Sequence, residues 1–352
     1  MTLGYDAVVL LGFGGPEGVD EVVPFLERVT AGRGIPRERL VEVGQHYFTL
    51  GGVSPINAQN RELLAAVRAE LDRQGERIDV ELANRNSAPF VADVLAGLAQ
   101  RGHGRILGVA TAAYSGYSAC RQYREDLGMA VDATRPELYV RKLPPFFDLP
   151  EFAAAIADLL LTTLPADLDL GAPGTRLVFT THSIPASMQA AAGPQGGAYL
   201  EQHRRVAADV VARVAAKTGT TCEWDLVFQS RSGPPHVPWL EPDVNDALTQ
   251  LADRGITDVV LVPIGFLSDH VEVIWDLDTE AAKTAAGLGV RLIRTPTVGV
   301  HPGFVSGLVG RIVAELREPA GDPGPGQFCF GDCCLNPRSS APVVPGCARD
   351  VG

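Results

Sequence analysis

Short, continuous apolar runs alternate with stretches of helical period along most of the chain. The runs at 6–11 (DAVVLL), 80–84 (VELAN) and 105–113 (RILGVATAA) read as buried strands. Residues 18–28, 58–73 and 89–101, and the stretch that opens at SGYSACRQYREDL, carry apolar residues at helical spacing. Strands alternating with helices in this way predict a parallel, doubly wound sheet. Two connections read as loops: the basic AGRGIPRER at 31–39, and QHYFTLGGVSPIN at 45–57, rich in Gly, Ser and Pro.

The plan then repeats. At an offset of 153, LAGLAQRGHGRILGV (95–109) lies over LTQLADRGITDVVLV (248–262), and Ser115 falls on Ser268. DAVVLLGFGGP (6–16) lies over TRLVFTTHSIP (175–185), so Pro16 meets Pro185. The pattern predicts two similar α/β halves, 1–165 and 166–318, facing each other across a cleft. The residues that differ between the halves are informative. Phe13 corresponds to His182, and Ala119 to Glu272. One wall would carry ionisable groups and the other apolar ones, at the carboxyl ends of strands where ligands of open α/β sheets bind.

Residues 258–282 concentrate the candidate chemistry. The run Val259–Ile264 ends at Gly265, and Ser268 or Asp269 reads as a helix N-cap. Asp269, His270, Glu272, Asp276, Asp278 and Glu280 follow. Glu272, Asp276 and Glu280 are four apart, a step of about 40° and roughly 6 Å on an α-helix. They would form a carboxylate ladder with no Lys or Arg between them, which suits either the handling of a cation or a solvated acidic surface. A π-type widening would spread the same acids differently. His182, in FTTHSIP just beyond a strand at Leu177–Thr180, is the candidate proton acceptor. Arg33, Tyr47, Ser54, Arg85 and Tyr123 are scattered donors suited to the carboxylates of an acidic ligand. Trp239, in the Pro-rich loop at 229–244, is a candidate platform for a flat ligand.

Charge and cysteine usage narrow the partners. A net charge of −12 opposes binding to nucleic-acid backbone or to anionic lipid. No stretch approaches a membrane span or a signal peptide, so a cytoplasmic protein without stable membrane anchoring is expected. GFGGPEG lacks the spacing of a dinucleotide fingerprint, and there is no P-loop. From about 319 a Pro/Gly linker leads into a polar tail, 319–352, holding Cys329, Cys333, Cys334 and Cys347. Cysteines crowded in this way suggest a metal or iron–sulfur centre.

Taken in order, LLGFGGPEG, YFTLGGVSPIN, FTTHSIP, FQSRSGPP with PWLEP, and PIGFLSDHVEVIWDLD resemble the ferrochelatase family over about 5–318. The WDLD variant and Cys-rich tail are most similar to its actinobacterial branch. The resemblance implies a fold of two Rossmann-like (chelatase-type) halves, each a four-stranded parallel sheet flanked by helices. It implies insertion of ferrous iron into a porphyrin, with His182 and Glu272 catalytic and meeting the metal. Asp276 and Glu280 would continue the acidic row. It places Arg33, Tyr47 and Ser54 near propionates, and Phe13, Tyr123 and Trp239 near substrate. It further implies a [2Fe-2S] cluster on Cys120, Cys329, Cys333 and Cys334, with Cys347 as substitute. The branch implies coproporphyrin III as substrate, and a monomer is expected. Two alternatives stand beside this: a protoporphyrin IX ferrochelatase, and a non-catalytic haem or metal carrier with an iron–sulfur sensor tail.

Overall fold

The computed structural model describes residues 4–32, 34–134, 137–233, 236–317, 333–336 and 339–346. The candidates Arg33, Cys329 and Cys347 lie outside them. Among the described residues, no helix is long and apolar enough to cross a membrane.

The chain forms two compact units. One comprises 1–111, 117–145 and 308–352; the other comprises 112–116 and 146–307. This division differs from the expected halves at 165 and 318. The helix Pro150–Thr163 goes with the second unit, where Phe152 packs on Tyr114 and Phe304 at ring distances of 6.1 and 5.6 Å. The chain from Leu308 onward goes with the first. There the Gly4 amide donates to the Leu316 carbonyl at 2.7 Å, and Arg141 pairs with Glu315 at 2.9 Å.

The first unit holds β1 (Ala7–Gly12), β2 (Asp79–Asn84), β3 (Arg105–Ala110) and β4 (Tyr139–Lys142). They form one parallel sheet in the order β2-β1-β3-β4. The second holds β5 (Thr175–His182), β6 (Trp224–Gln229), β7 (Asp258–Val262) and β8 (Arg291–Arg294). Their order is β6-β5-β7-β8, again all parallel. The two topologies are the same, as the duplicated sequence pattern predicts. Val8–Leu11 and Val259–Val262 are fully buried, which is why these strands read as unbroken apolar runs.

Around the first sheet lie α1 (Val19–Val29), α2 (Arg37–Thr49), α3 (Ile56–Arg73), α4 (Val91–Gln100) and α5 (Gln122–Thr134). The segment expected as a loop from 45 is helical as far as Thr49; the loop proper is confined to 50–55. With the second sheet go α6 (Pro150–Thr163), α7 (Ala186–Ala190), α8 (Ala198–Thr218) and α9 (Val244–Asp253). After these come α10 (Val271–Val273), α11 (Ala282–Leu288) and α12 (Pro302–Arg317).

One interior strand of each sheet leads into a π-helical stretch. Tyr117–Arg121 follows β3, and Ile274–Ala281 follows β7, between α10 and α11. The acidic segment is therefore not a regular α-helix. Its N-cap is His270, in extended backbone, rather than Ser268 or Asp269.

β5 outruns its neighbour. Its pairing with β7 stops at Phe179↔Val262, whereas its pairing with β6 continues to His182↔Gln229. Beyond β7 the chain turns across the end of β5, and the Gly265 amide donates to the Thr180 carbonyl at 3.2 Å. A Cβ on Gly265 would stand 2.6 Å from Thr181 Cβ and 2.9 Å from Thr181 Cα, so only glycine permits this approach. Gly265→Ala should destabilise the second unit by about 1–3 kcal/mol, the usual cost of overpacking. Thermal melting checks this, and an unchanged midpoint would show that the turn relaxes freely.

Candidate active site

His182 is the last residue of β5 rather than a residue beyond it, and register pairing with Gln229 holds its backbone. Its Nδ1 lies 2.5 Å from the Ser183 carbonyl oxygen. A carbonyl only accepts, so Nδ1 must carry a hydrogen. In the neutral ring the lone pair is then on Nε2, which stands 3.8 Å from Glu272 Oε2. Both side chains are partly open, at 34% and 47% exposure. The pair is an imidazole base with a carboxylate behind it, accessible to a ligand.

The acids beyond Glu272 divide into two sets. Asp276 receives hydrogen bonds from Ser230 Oγ and from Gln229 Nε2, the latter at 3.3 Å. Ser230 adopts a left-handed backbone (φ 61°), uncommon for a residue with a side chain, and this brings its hydroxyl to Asp276. Burial pushes the Asp276 carboxyl up to about 7; the Ser230 bond opposes the rise, and repulsion from Glu272 and Glu280 adds to it. Glu280 accepts from Trp275 Nε1 at 2.9 Å, five residues back, the reach expected of a π-helical turn. Asp269 and Asp278 instead both engage Arg294, Asp278 at 3.5 Å. Arg294 thus clamps one side of the segment and leaves Glu272, Asp276 and Glu280 as the other set.

His270, next to this pair, is half-buried and edge-on to Phe266 at 5.2 Å. Burial pushes its pKa down; Glu272 and Asp269 oppose this, and His182 adds to it. Nothing in the sequence marks Ser230, Gln229 or Arg294 for this site. Ser230 and Gln229 enter only because β6 ends there. Trp239 forms an isolated antiparallel bridge with Pro185, and its Nε1 is buried with no hydrogen-bond partner among the described residues.

In the first unit, Phe13 is 36% exposed. It stands edge-on to Phe25 at 6.1 Å, and Tyr47 lies 5.8 Å from the same Phe25 ring. Arg85 lies 5.9 Å from the Phe13 centroid and 4.1 Å from that of Tyr123. It also pairs with Asp126 at 2.6 Å. Phe13 and Tyr47 thus share one aromatic group. Tyr123 and Ser54 do not present surface donors, being only 4% and 3% exposed. Tyr123 packs under Arg85, and the Ser54 amide donates to the Pro16 carbonyl at 2.8 Å.

Three of the tail and core cysteines fall in the same unit. Cys120 is buried in the π-helical turn, and Cys333 and Cys334 are buried with their Sγ atoms 3.6 Å apart. Arg121 donates to the Cys333 carbonyl at 3.3 Å, which ties the tail to that turn. Among the described residues, no group of three or more His, Cys, Asp or Glu is disposed to hold a metal ion.

Two units of one topology, with titratable groups at a strand end, define a chelatase-type α/β protein. Two solved structures share this architecture. One is a multi-domain protein from Deinococcus radiodurans described as structurally similar to chelatases (TM-score 0.53, 16% identity, covering 91% of this chain and 56% of that one). The other is SirB from Bacillus subtilis (TM-score 0.52, 12% identity, covering 88% and 95%). At such identities the likeness concerns the fold alone.

The sequence profile of the ferrochelatase family matches residues 5–316, and the chain belongs to that family. Coproporphyrin III ferrochelatase of Streptomyces griseus is 48% identical over 97% of this chain and 96% of its own length. That of Propionibacterium freudenreichii is 47% identical over 98% of each.

Asp276 gives the site a pH signature. A carboxyl raised from 3.8 to about 7 on folding binds its proton more tightly in the folded state. Stability from this group is therefore fully present below its unfolded value and is lost as pH rises to about 7. In the metal-free protein, the melting temperature of Asp276→Asn should gain on that of the parent between pH 4 and 7 and run parallel above. A constant difference across that range would contradict the assignment.

Proposed function

We propose that the protein inserts ferrous iron into coproporphyrin III, the reaction named for its relatives in Streptomyces and Propionibacterium. The observation that carries this reading is the His182–Glu272 pair, with its imidazole lone pair on Nε2 and its carboxylate 3.8 Å away.

Insertion exchanges two pyrrole N–H protons for one Fe²⁺, so the net charge leaving the porphyrin as protons equals the charge arriving as metal. His182 Nε2 accepts the two pyrrole protons in turn, and Glu272 stabilises the imidazolium and passes each proton onward to solvent before the next is taken. Glu272, Asp276 and Glu280 replace the water shell of the incoming dication stepwise, because oxygen donors suit a hard cation. A pH near 7 leaves Asp276 divided between its acid and its carboxylate, so it can meet either a proton or the metal. Phe13 and Tyr47 supply an aromatic contact for the macrocycle, and Trp239 a second one. Arg33, with Tyr47, is assigned to propionate carboxylates, which would otherwise meet a protein of charge −12. Ser54 and Tyr123 support the loop and Arg85 from within. The protein is read as a cytoplasmic monomer.

A [2Fe-2S] cluster held by Cys120, Cys329, Cys333 and Cys334 belongs to the same proposal. Adjacent buried thiols at 333 and 334, and the Arg121 link from the turn of Cys120 to Cys333, support it. Arg121 also suits an anionic centre. Such a cluster supplies a one-electron couple and a cross-link between the tail and its unit.

Two measurements test these assignments. Purified protein should metallate coproporphyrin III with Fe²⁺ faster than protoporphyrin IX. His182→Ala and Glu272→Ala should each lose about 10²–10⁴-fold in kcat while melting like the parent; full activity in both sinks the reading. Anaerobically purified protein should show charge-transfer absorption in the visible with two irons per chain, and Cys333→Ser should abolish it. A colourless, iron-free parent removes the cluster and leaves the chelatase proposal intact.

A further inference from the structure

The overrun of β5 leaves a backbone group to be accounted for. In a strand, carbonyls two residues apart point to the same side. Thr180 O is taken by the Gly265 amide on the β7 side, so His182 O faces that side too, past the last β7 pairing. The ladder offers it nothing. Its partner is the Tyr199 hydroxyl of α8, at 2.9 Å. Ser183 N, on the opposite side, donates to Gln229 O at 2.7 Å, and Ser183 Oγ donates to Leu240 O at 2.8 Å. The one peptide group that joins His182 to Ser183 is thus held on both sides. On the β7 side the holder is one phenol.

That phenol is itself aimed by two buried groups. Thr181 Oγ1 lies 2.8 Å from Tyr199 Oη and 2.9 Å from His203 Nε2. His203 is completely buried and stacks on Tyr114 at 3.6 Å. Its Nδ1 lies 2.6 Å from the Tyr199 carbonyl, which can only accept, so the hydrogen of the neutral ring is on Nδ1. Nε2 is then an acceptor and takes the Thr181 hydrogen. Thr181 has no second hydrogen to give, so its oxygen faces Tyr199 as an acceptor. The single phenolic hydrogen therefore has two acceptors in reach, Thr181 Oγ1 and His182 O, and their positions set its direction. Tyr114, whose ring packs on His203, is tied in turn to the Ile264 carbonyl at 2.9 Å, in the turn that crosses the strand end.

We propose that Tyr199, aimed by Thr181 and His203, is the positioning residue for His182. It replaces the missing strand neighbour and so fixes the backbone from which the imidazole projects toward Glu272. This inference rests on the proposed role of His182 as proton acceptor. It assigns no contact with substrate or metal to Tyr199, Thr181 or His203. It makes the placement of a strand-end base depend on a helix that begins sixteen residues later, at Ala198.

The test is steady-state metallation of coproporphyrin by the full-length protein, with His182→Ala in the same series. Tyr199→Phe removes one oxygen and keeps the ring. It should lower kcat about tenfold with KM for the porphyrin within about twofold, the scale of one lost hydrogen bond felt at the reacting atoms. Thr181→Val should give a smaller fall in kcat, and Thr181→Ser, which keeps the hydroxyl, should restore the parent value. Melting curves identify any variant that fails to fold, and the Val/Ser comparison at 181 then decides alone. An inactive His182→Ala beside unchanged kcat in both Tyr199→Phe and Thr181→Val overturns the positioning role only. A fully active His182→Ala overturns both the positioning role and the reading beneath it. Equal losses in kcat/KM through KM alone also overturn it, because a displaced base would not weaken substrate binding.

Discussion

One contact sets the chemistry available at this site: His182 Nδ1 against a carbonyl oxygen at 2.5 Å. An oxygen with no hydrogen leaves the ring a single neutral tautomer, and the basic nitrogen is the one facing Glu272. If Nδ1 faced a hydroxyl or water, either tautomer would be open and the lone pair would have no fixed direction. Everything else at the strand end preserves this contact. Gln229, Leu240 and Tyr199 each hold one group of the two-residue stretch in which it forms.

The acidic segment obeys a second constraint, that its carboxylates must not neutralise one another's surroundings. An α-helix would have set Glu272, Asp276 and Glu280 in a line and left Asp269 and Asp278 nearby. The π-helical stretch and Arg294 sort these acids instead. Asp269 and Asp278 meet a cation, whereas Asp276 meets only neutral donors and two other acids. Burial raises both Asp276 and Asp278, and the Arg294 guanidinium opposes the rise at Asp278 alone. The same segment thus contains acids of different character, produced by local winding and one arginine.

The major strands were legible because they are buried on both faces, and the duplication was legible because each half needs the same strands in the same order. Val259–Val262 and Val8–Leu11 could hardly be anything else. β4 (YVRK) and β8 (RLIR) were not legible. Each has four residues and two charges, and Arg141 in β4 is buried only because Glu315 arrives from 174 positions later to meet it. His182 and Glu272 could be singled out from strand-end position and acidic spacing. Ser230 could not, since its role depends on a left-handed backbone that nothing in SRSG announces. Tyr123 and Ser54 were legible as polar side chains but not as buried ones, because burial there comes from Arg85 and from the Gly15 turn folding over them. The end of α2 resembles a loop in sequence because Gly51 and Gly52 dominate its neighbourhood, yet they only terminate it.

The tail has one more consequence. Val344 exchanges hydrogen bonds with Arg124 of α5, and Lys142 N donates to Pro345 O at 3.0 Å, so the described stretch 342–346 is held against α5 and meets the last residue of β4. Gly128 admits it, with the Pro342 carbonyl carbon 2.7 Å from where a Cβ would stand. β4 is the outermost strand of its sheet. An uncovered outer strand offers its backbone to any other chain that can pair with it. Where the tail meets Lys142 the end of that outer strand is already paired, and a chain shortened before this stretch would leave that backbone group open.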